Sequence, residues 1–253
     1  MMKEVKIEPV YSIVIPVYNS NEVLVELCQR IENVFMETLK QSFEIILVDD
    51  GSANSLTWPR IEDLVNNSEN ICGIQLTKNF GQHAALICGM TYAKGKYIVT
   101  MDDDLQQLPE DICKFIPLAD HDVVMGQFKR KRHSSLRNFG SYVKSYFDYT
   151  ISGKPKGIRV SSYCLIHKKV AETVVREMQY PLPLFSASLF KATRDIVGVE
   201  VGHNKRRQGN SGYTLLKLAR MFTRVFYKPG IKHVDSFVPF SVRTTLYKHQ
   251  NLI

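Results

Sequence analysis

The 253 residues, 44% of them hydrophobic, hold ample apolar material for one large domain or two small ones, and 33 lysines and arginines against 25 acidic residues leave a net charge of +8. Five scattered cysteines exclude a disulfide framework and a zinc-type spacing, and neither a secretory h-region nor a bilayer-spanning run of about 20 apolar residues is present. A cytoplasmic chain, soluble or peripheral to the inner face of a membrane, is expected, and its basic balance suits nucleotides, phosphates or a lipid surface, with nucleic acid admitted on charge alone.

The first half alternates between strand and helix patterns. Residues 11–17 read as a strand, followed by the capping cluster Asn19-Ser-Asn21. Residues 22–39 place Val23, Leu24, Leu27, Ile31, Val34 and Phe35 at helical spacing. A second strand over 43–50 ends in Asp49-Asp50 and turns at Gly51-Ser52 into another helical stretch. Residues 71–76 predict a third strand, 82–93 a helix, 96–101 a fourth strand and 122–126 a fifth. Such alternation predicts an α/β fold with a mostly parallel sheet and helices on both faces. Ligands in these sheets sit beyond the strands' carboxyl ends.

The second half is less regular. Residues 128–137 read as a basic loop, 136–151 as a helix, and Lys154-Pro-Lys-Gly157 as a turn. Residues 160–166 predict a strand, 168–178 a helix and 196–201 a last strand, followed by a polar loop over 203–212. Residues 213–228 form a basic amphipathic pattern, with Leu215, Leu218, Phe222, Val225 and Phe226 opposite Lys217, Arg220, Arg224 and Lys228. That pattern fits a helix in an anionic membrane interface and equally a core-facing surface helix.

The most informative stretch is Tyr97-Ile-Val-Thr-Met-Asp102-Asp-Asp104-Leu-Gln106. A buried strand breaks into three adjacent carboxylates, which repel one another without a counter-charge. Hard oxygen ligands there suit Mg²⁺ or Mn²⁺ with a phosphate, a solvated acidic turn being the alternative. Tyr18-Asn19 and Asp49-Asp50 end two other strands at the same predicted edge.

In order, Ile15-Pro-Val-Tyr-Asn19, Val48-Asp-Asp-Gly-Ser52, Leu76-Thr-Lys-Asn-Phe-Gly81, Met101-Asp-Asp-Asp-Leu-Gln106 and Arg206-Arg-Gln-Gly-Asn-Ser-Gly-Tyr213 resemble family-2 glycosyltransferases of the GT-A fold. The likeness runs over residues 11–213. It is closest to the branch containing dolichyl-phosphate mannose synthase and the bacterial polyprenyl-phosphate sugar transferases. That branch moves a sugar from a nucleotide diphosphate to a lipid phosphate at the cytoplasmic face.

The resemblance implies a catalytic domain over 1–212 and a C-terminal helix and tail over 213–253. It implies that Pro16, Tyr18, Asn19, Asp49, Asp50, Lys78, Gly81, Asp102 and Asp103 bind the nucleotide sugar, though Asp49-Asp50 also suits a turn with a helix cap and Lys78 a solvated position. Asp102, Asp104 and Gln106 would hold Mg²⁺ or Mn²⁺. Asp104, Arg206 and Arg137 would serve catalysis. Arg130, Arg132, Arg137 and Ser211 would contact the acceptor and phosphates, although the run from Lys129 to Arg132 also suits a solvated face. The run lacks the interleaved aromatics of a nucleic-acid site.

Two departures stand out. Ser20 replaces an acidic residue after Pro-Val-Tyr-Asn, and Arg159-Val-Ser-Ser-Tyr163 replaces an Asp-x-Gly-Asp-Phe segment. A hydroxyl acceptor needs a carboxylate base, for which Asp148 and Asp195 remain candidates. A phosphate acceptor needs none, since its second ionisation lies near pH 6. The expected activity is inverting sugar transfer to a polyprenyl phosphate. A glycan hydroxyl acceptor, a degenerate sugar-nucleotide-binding scaffold and a nucleotidyltransferase are the rivals.

Overall fold

A computed structural model describes residues 8–128, 155–177, 185–204 and 240–247. One eight-stranded sheet organises them, in the order β7-β5-β6-β4-β1-β2-β3-β8. Its strands are β1 (Tyr11–Val17), β2 (Phe43–Asp49), β3 (Ile71–Leu76), β4 (Tyr97–Thr100), β5 (Val123–Phe128), β6 (Cys164–His167), β7 (Ile196–Val201) and β8 (Val242–Leu246). The helices are α1 (Glu22–Asn33), α2 (Thr57–Asn67), α3 (Gln82–Tyr92), α4 (Lys168–Arg176) and α5 (Phe185–Ala192).

Strand β1 lies at the centre, parallel to β2 and β4, with Ile13 opposite both Ile45 and Val99. The β2–β3 and β5–β7 pairs are also parallel, while β6 runs antiparallel to β4 and β5, and β8 antiparallel to β3. The sheet is therefore mixed. β1 is apolar on both faces because both are covered: Ile13, Ile15 and Val17 pack with Leu24, Leu27, Ile31 and Phe35 of the α1 side. Val14 faces the other way, among Ala85, Cys88 and Leu189. α3 sits close on that face, where a Cβ on Gly89 would overlap Val14 Cγ1.

Pro16 occupies a central strand, a place where proline normally costs a ladder bond. Val14 O accepts from Met101 N–H at 3.2 Å and Val17 O from Asp50 N–H at 2.9 Å, so even-numbered β1 residues face β4. β4 ends at Thr100, opposite Val14, two register positions short of Pro16. Its missing N–H thus falls where the acidic loop leaves the sheet.

The helix expected over 22–39 ends its α-turns at Asn33 and continues as a π-helix to Leu39, stopped by left-handed Lys40. Asn21 occupies the N-cap position of α1 but makes no side-chain cap bond; its Oδ1 accepts from Arg60 Nε at 3.1 Å. The strand expected over 160–166 is confined to Cys164–His167, because Ser161 and Ser162 are diverted to side-chain bonds. α5 and β8 were not legible, and β8 follows the strand expected to be last. β8 also brings residues 242–246, assigned by the sequence to a tail, into the sheet. The expected helices over 136–151 and 213–228, Asp148, the arginines Arg130, Arg132, Arg137 and Arg206, and Ser211 lie outside the described residues.

Candidate active site

The carboxyl ends of β1, β2 and β4 and the start of α3 meet at one edge of the sheet. Asp103 Oδ2 accepts from the Tyr18 N–H at 3.2 Å and from Ser20 Oγ at 2.6 Å, tying the β1 loop to the acidic loop. Asn19, left-handed at φ 60°, donates its N–H to Ser52 Oγ at 2.8 Å and accepts from the Asn54 N–H at 3.0 Å. These bonds join the β1 loop to the β2 loop.

Asp50, 3% exposed, accepts the Phe80 N–H at 2.7 Å and the Gly81 N–H at 2.9 Å, one on each oxygen. Burial pushes its carboxyl up to about 6, against the pull of those two N–H groups, and Asp49 adds repulsion. Asp49 accepts from the Ser52 N–H at 2.9 Å and from Gln75 Nε2 at 3.3 Å. Of the turn-with-cap reading, the turn is seen at Asp49, while α2 begins at an N-cap, Leu56, with no side-chain cap bond, and Asp50 is bonded instead to the turn before α3. Gly51 is left-handed at φ 61°, and a Cβ there would overlap the Lys78 backbone. Gly81, at φ 98°, has nothing within 4 Å of an added Cβ, so its glycine answers to backbone conformation rather than to crowding. Lys78 is exposed, with its Nζ 5.2 Å from the Phe80 ring centroid.

The acidic loop is held from both sides. Asp102 Oδ2 accepts from Gln107 Nε2 at 2.9 Å and Ser162 Oγ at 3.0 Å, and Oδ1 accepts from Gln82 Nε2 at 2.6 Å. Gln107 Oε1 in turn accepts the Asp102 N–H at 2.8 Å. The β4–β6 register explains the serine: Thr100 faces Cys164, so two residues on, Ser162 comes opposite Asp102. Leu105, 1% exposed, anchors the loop in the core at φ 58°, and Gln106 N–H returns to Asp104 Oδ1 at 3.1 Å. Burial pushes the Asp102 carboxyl up to about 6, and repulsion from Asp104 and Asp103 adds to it. Burial likewise raises Asp103.

A Glycosyl transferase family 2 pattern matches residues 12–175, the stretch from β1 to α4 that contains all of these contacts. The chain belongs to that family. Undecaprenyl-phosphate 4-deoxy-4-formamido-L-arabinose transferases of Salmonella choleraesuis and Salmonella newport are each 32% identical to it over 214 residues, 83% of this chain and 64% of theirs. The chain thus spans less than two thirds of the length of these relatives. Glucosyl-3-phosphoglycerate synthase from Mycobacterium tuberculosis, solved with Mn²⁺, UDP-glucose and phosphoglyceric acid, aligns at TM-score 0.60 and 14% identity. The alignment covers 86% of this chain and 77% of that one, a likeness of fold.

In this family-2 chain, the acidic loop offers Asp102, Asp104 and Gln106, oxygen donors beside carboxyls already raised by burial and mutual repulsion. That chemistry fits a hard divalent cation. Among the described residues, no three His, Cys, Asp or Glu side chains converge as a metal-binding group, so the fit is to two carboxylates and an amide. Asp195 is removed as a base candidate. It precedes β7, parallel to β5, and is bonded to His121 Nδ1 at 2.6 Å at the opposite sheet edge.

Sequence reasoning missed Gln82, Gln107 and Ser162 as partners of Asp102, and it noted Ser20 only as a departure, not as a partner of Asp103. Next to Gln82 on α3, His83 Nδ1 accepts the Phe185 N–H at 3.4 Å, and burial lowers the pKa of its ring. The adjacency of Gln107 to Gln106 was visible; its burial at 3% was not.

Proposed function

We propose that this chain transfers a sugar from a nucleotide-diphosphate sugar to a polyprenyl phosphate, with inversion at the anomeric carbon. The supporting observation is the convergence of three strand ends and the α3 N-terminus on one acidic loop, in a family whose relatives include undecaprenyl-phosphate sugar transferases.

Tyr18, 48% exposed beside Pro16 and Asp49, would flank the base and ribose. Asp50 would act one step back, fixing the turn that carries Lys78, Asn79 and Gly81. Asp103 would hold the Tyr18 loop against the acidic loop rather than touch the sugar. Mg²⁺ or Mn²⁺ on Asp102, Asp104 and Gln106 would supply positive charge to the departing diphosphate. By their resemblance to family positions, Arg206 would add a bidentate phosphate contact, and Arg130, Arg132, Arg137 and Ser211 would receive the acceptor phosphate.

The acceptor assignment rests on what stands beside Asp102. The segment from Arg159 to Tyr163 delivers the Ser162 hydroxyl there, 3.0 Å from Oδ2, where a hydroxyl acceptor would call for a carboxylate base. A lipid phosphate, largely dianionic at pH 7, attacks without one. No helix of the described residues is long and apolar enough to cross a membrane. Residues 213–228 would lie on an anionic surface, and the catalytic unit over 1–212 would be completed by β8.

Melting curves with UDP, GDP, dTDP and CDP, each with and without Mn²⁺, test the donor site. One nucleotide should raise the midpoint only with the metal, by about 2.7 kcal/mol of stability at a hundredfold excess over Kd. No rise with any nucleotide would point instead to a degenerate scaffold.

A further inference from the structure

Asp102 has two chemically distinct oxygens. Oδ2 receives two donors from the protein interior: Gln107, 3% exposed, at 2.9 Å, and the half-buried Ser162 at 3.0 Å. A carboxylate oxygen has two lone-pair sites, so both sites of Oδ2 are filled. Oδ1 has one donor, Gln82 Nε2 at 2.6 Å, and Gln82 is exposed on the first turn of α3.

The clamp on Oδ2 is closed on itself. Gln107 Nε2 bonds both Asp102 Oδ2 and Ser162 Oγ, the latter at 3.0 Å, while its Oε1 takes the Asp102 N–H at 2.8 Å. Thr100 Oγ1 donates to the Ser162 carbonyl at 2.6 Å and fixes the serine on the β4–β6 ladder. All these donors are neutral, so they orient the carboxylate without cancelling its charge. Rotation about the Asp102 side chain would break both bonds and leave the Gln107 and Ser162 donors without their acceptor.

We propose that Gln107 and Ser162 are positioning residues that lock Oδ2 of Asp102, leaving Oδ1 as its single cation-facing oxygen, and that the Gln82 amide yields that oxygen when the cation binds. This rests on the reading of Asp102 as a cation ligand. It goes further by giving the cation one oxygen of Asp102 and by assigning metal affinity to two residues that bear no charge. Gln82, by contrast, competes with the cation.

The test is Mn²⁺ uptake by the full chain, followed by electron paramagnetic resonance with MnCl₂ alone. Gln107→Met and Ser162→Ala should weaken uptake about ten- to a hundredfold, as loss of residues that orient metal ligands generally does. Ser162→Thr should restore it, and Gln82→Ala should bind as tightly as the unaltered chain or more tightly. Asp102→Asn separates the two layers: undiminished uptake there overturns the cation reading itself. Loss in Asp102→Asn with normal uptake in Ser162→Ala and Gln107→Met overturns the clamp alone. A Gln82→Ala chain as weak as Gln107→Met overturns the single-oxygen assignment. If Gln107→Met fails to fold by circular dichroism, Ser162→Ala, a single hydroxyl deletion, decides. No uptake by the unaltered chain contradicts both layers.

Discussion

Asp50 and Gly81, 31 residues apart, are joined by a 2.9 Å bond from the Gly81 N–H to Asp50 Oδ2, and the Phe80 N–H takes the other oxygen at 2.7 Å. A buried carboxylate at the end of β2 thereby sets the turn that opens α3. Its carboxyl, pushed up to about 6 by burial, is harder to ionise folded than unfolded. Between about pH 4 and 6 the folded state therefore binds more protons, and the Asp50 contribution to stability falls as pH rises through that window. In Asp50→Asn this dependence disappears. Urea midpoints at pH 4.5, 5.5 and 7 should place the variant below the unaltered chain by about 1–3 kcal/mol at the acid end, since one N–H loses its acceptor. The gap should narrow toward pH 7. Parallel curves would contradict the assignment.

The approach of α3 to the sheet predicts a second effect. Gly89→Ala drives a methyl into Val14 Cγ1 and to 3.2 Å from Val48 Cγ2, in a core with no slack. Destabilisation of about 1–3 kcal/mol is expected. Adding Val14→Ala should recover part of it, so the double-mutant cycle should show coupling above about 0.5 kcal/mol. Strict additivity would mean that the helix simply moves away.

Tyr18 is exposed and bonded only through its backbone in the contacts that fix the β1 loop. Tyr18→Ala should leave the melting midpoint unchanged while weakening nucleotide binding about two- to tenfold, the scale of one lost aromatic contact. Titration calorimetry with the nucleotide chosen by the melting panel reads this directly. Unchanged affinity would place the base elsewhere.

Asp104→Ala should abolish transfer while unfolding stays cooperative, and excess chelator should reproduce the loss in the unaltered chain. Full activity in either case would remove the metal from the reaction.

The sequence showed the central strands because β1 and β2 are buried on both faces and read as near-continuous apolar runs. Three polar strand ends marked the edge that carries the candidate site. Side-chain traffic across that edge was hidden. Asp50 reads as a ligand-facing carboxylate, and only the fold shows that two backbone N–H groups occupy it. Ser162 reads as the loss of an acid, and only the antiparallel register of β4 and β6 turns it into a partner of Asp102. β8 was missed because its pairing depends on β3, some 170 residues earlier in the chain, and on no local pattern.

The most direct test mixes the full chain with Mn²⁺, undecaprenyl phosphate in detergent and the sugar forms of whichever nucleotide raises the melting midpoint, and follows nucleoside diphosphate release. Release that requires the lipid phosphate and proceeds with no second sugar acceptor is the predicted result. Release of pyrophosphate, or turnover only with a glycan hydroxyl acceptor, would contradict sugar transfer to a lipid phosphate.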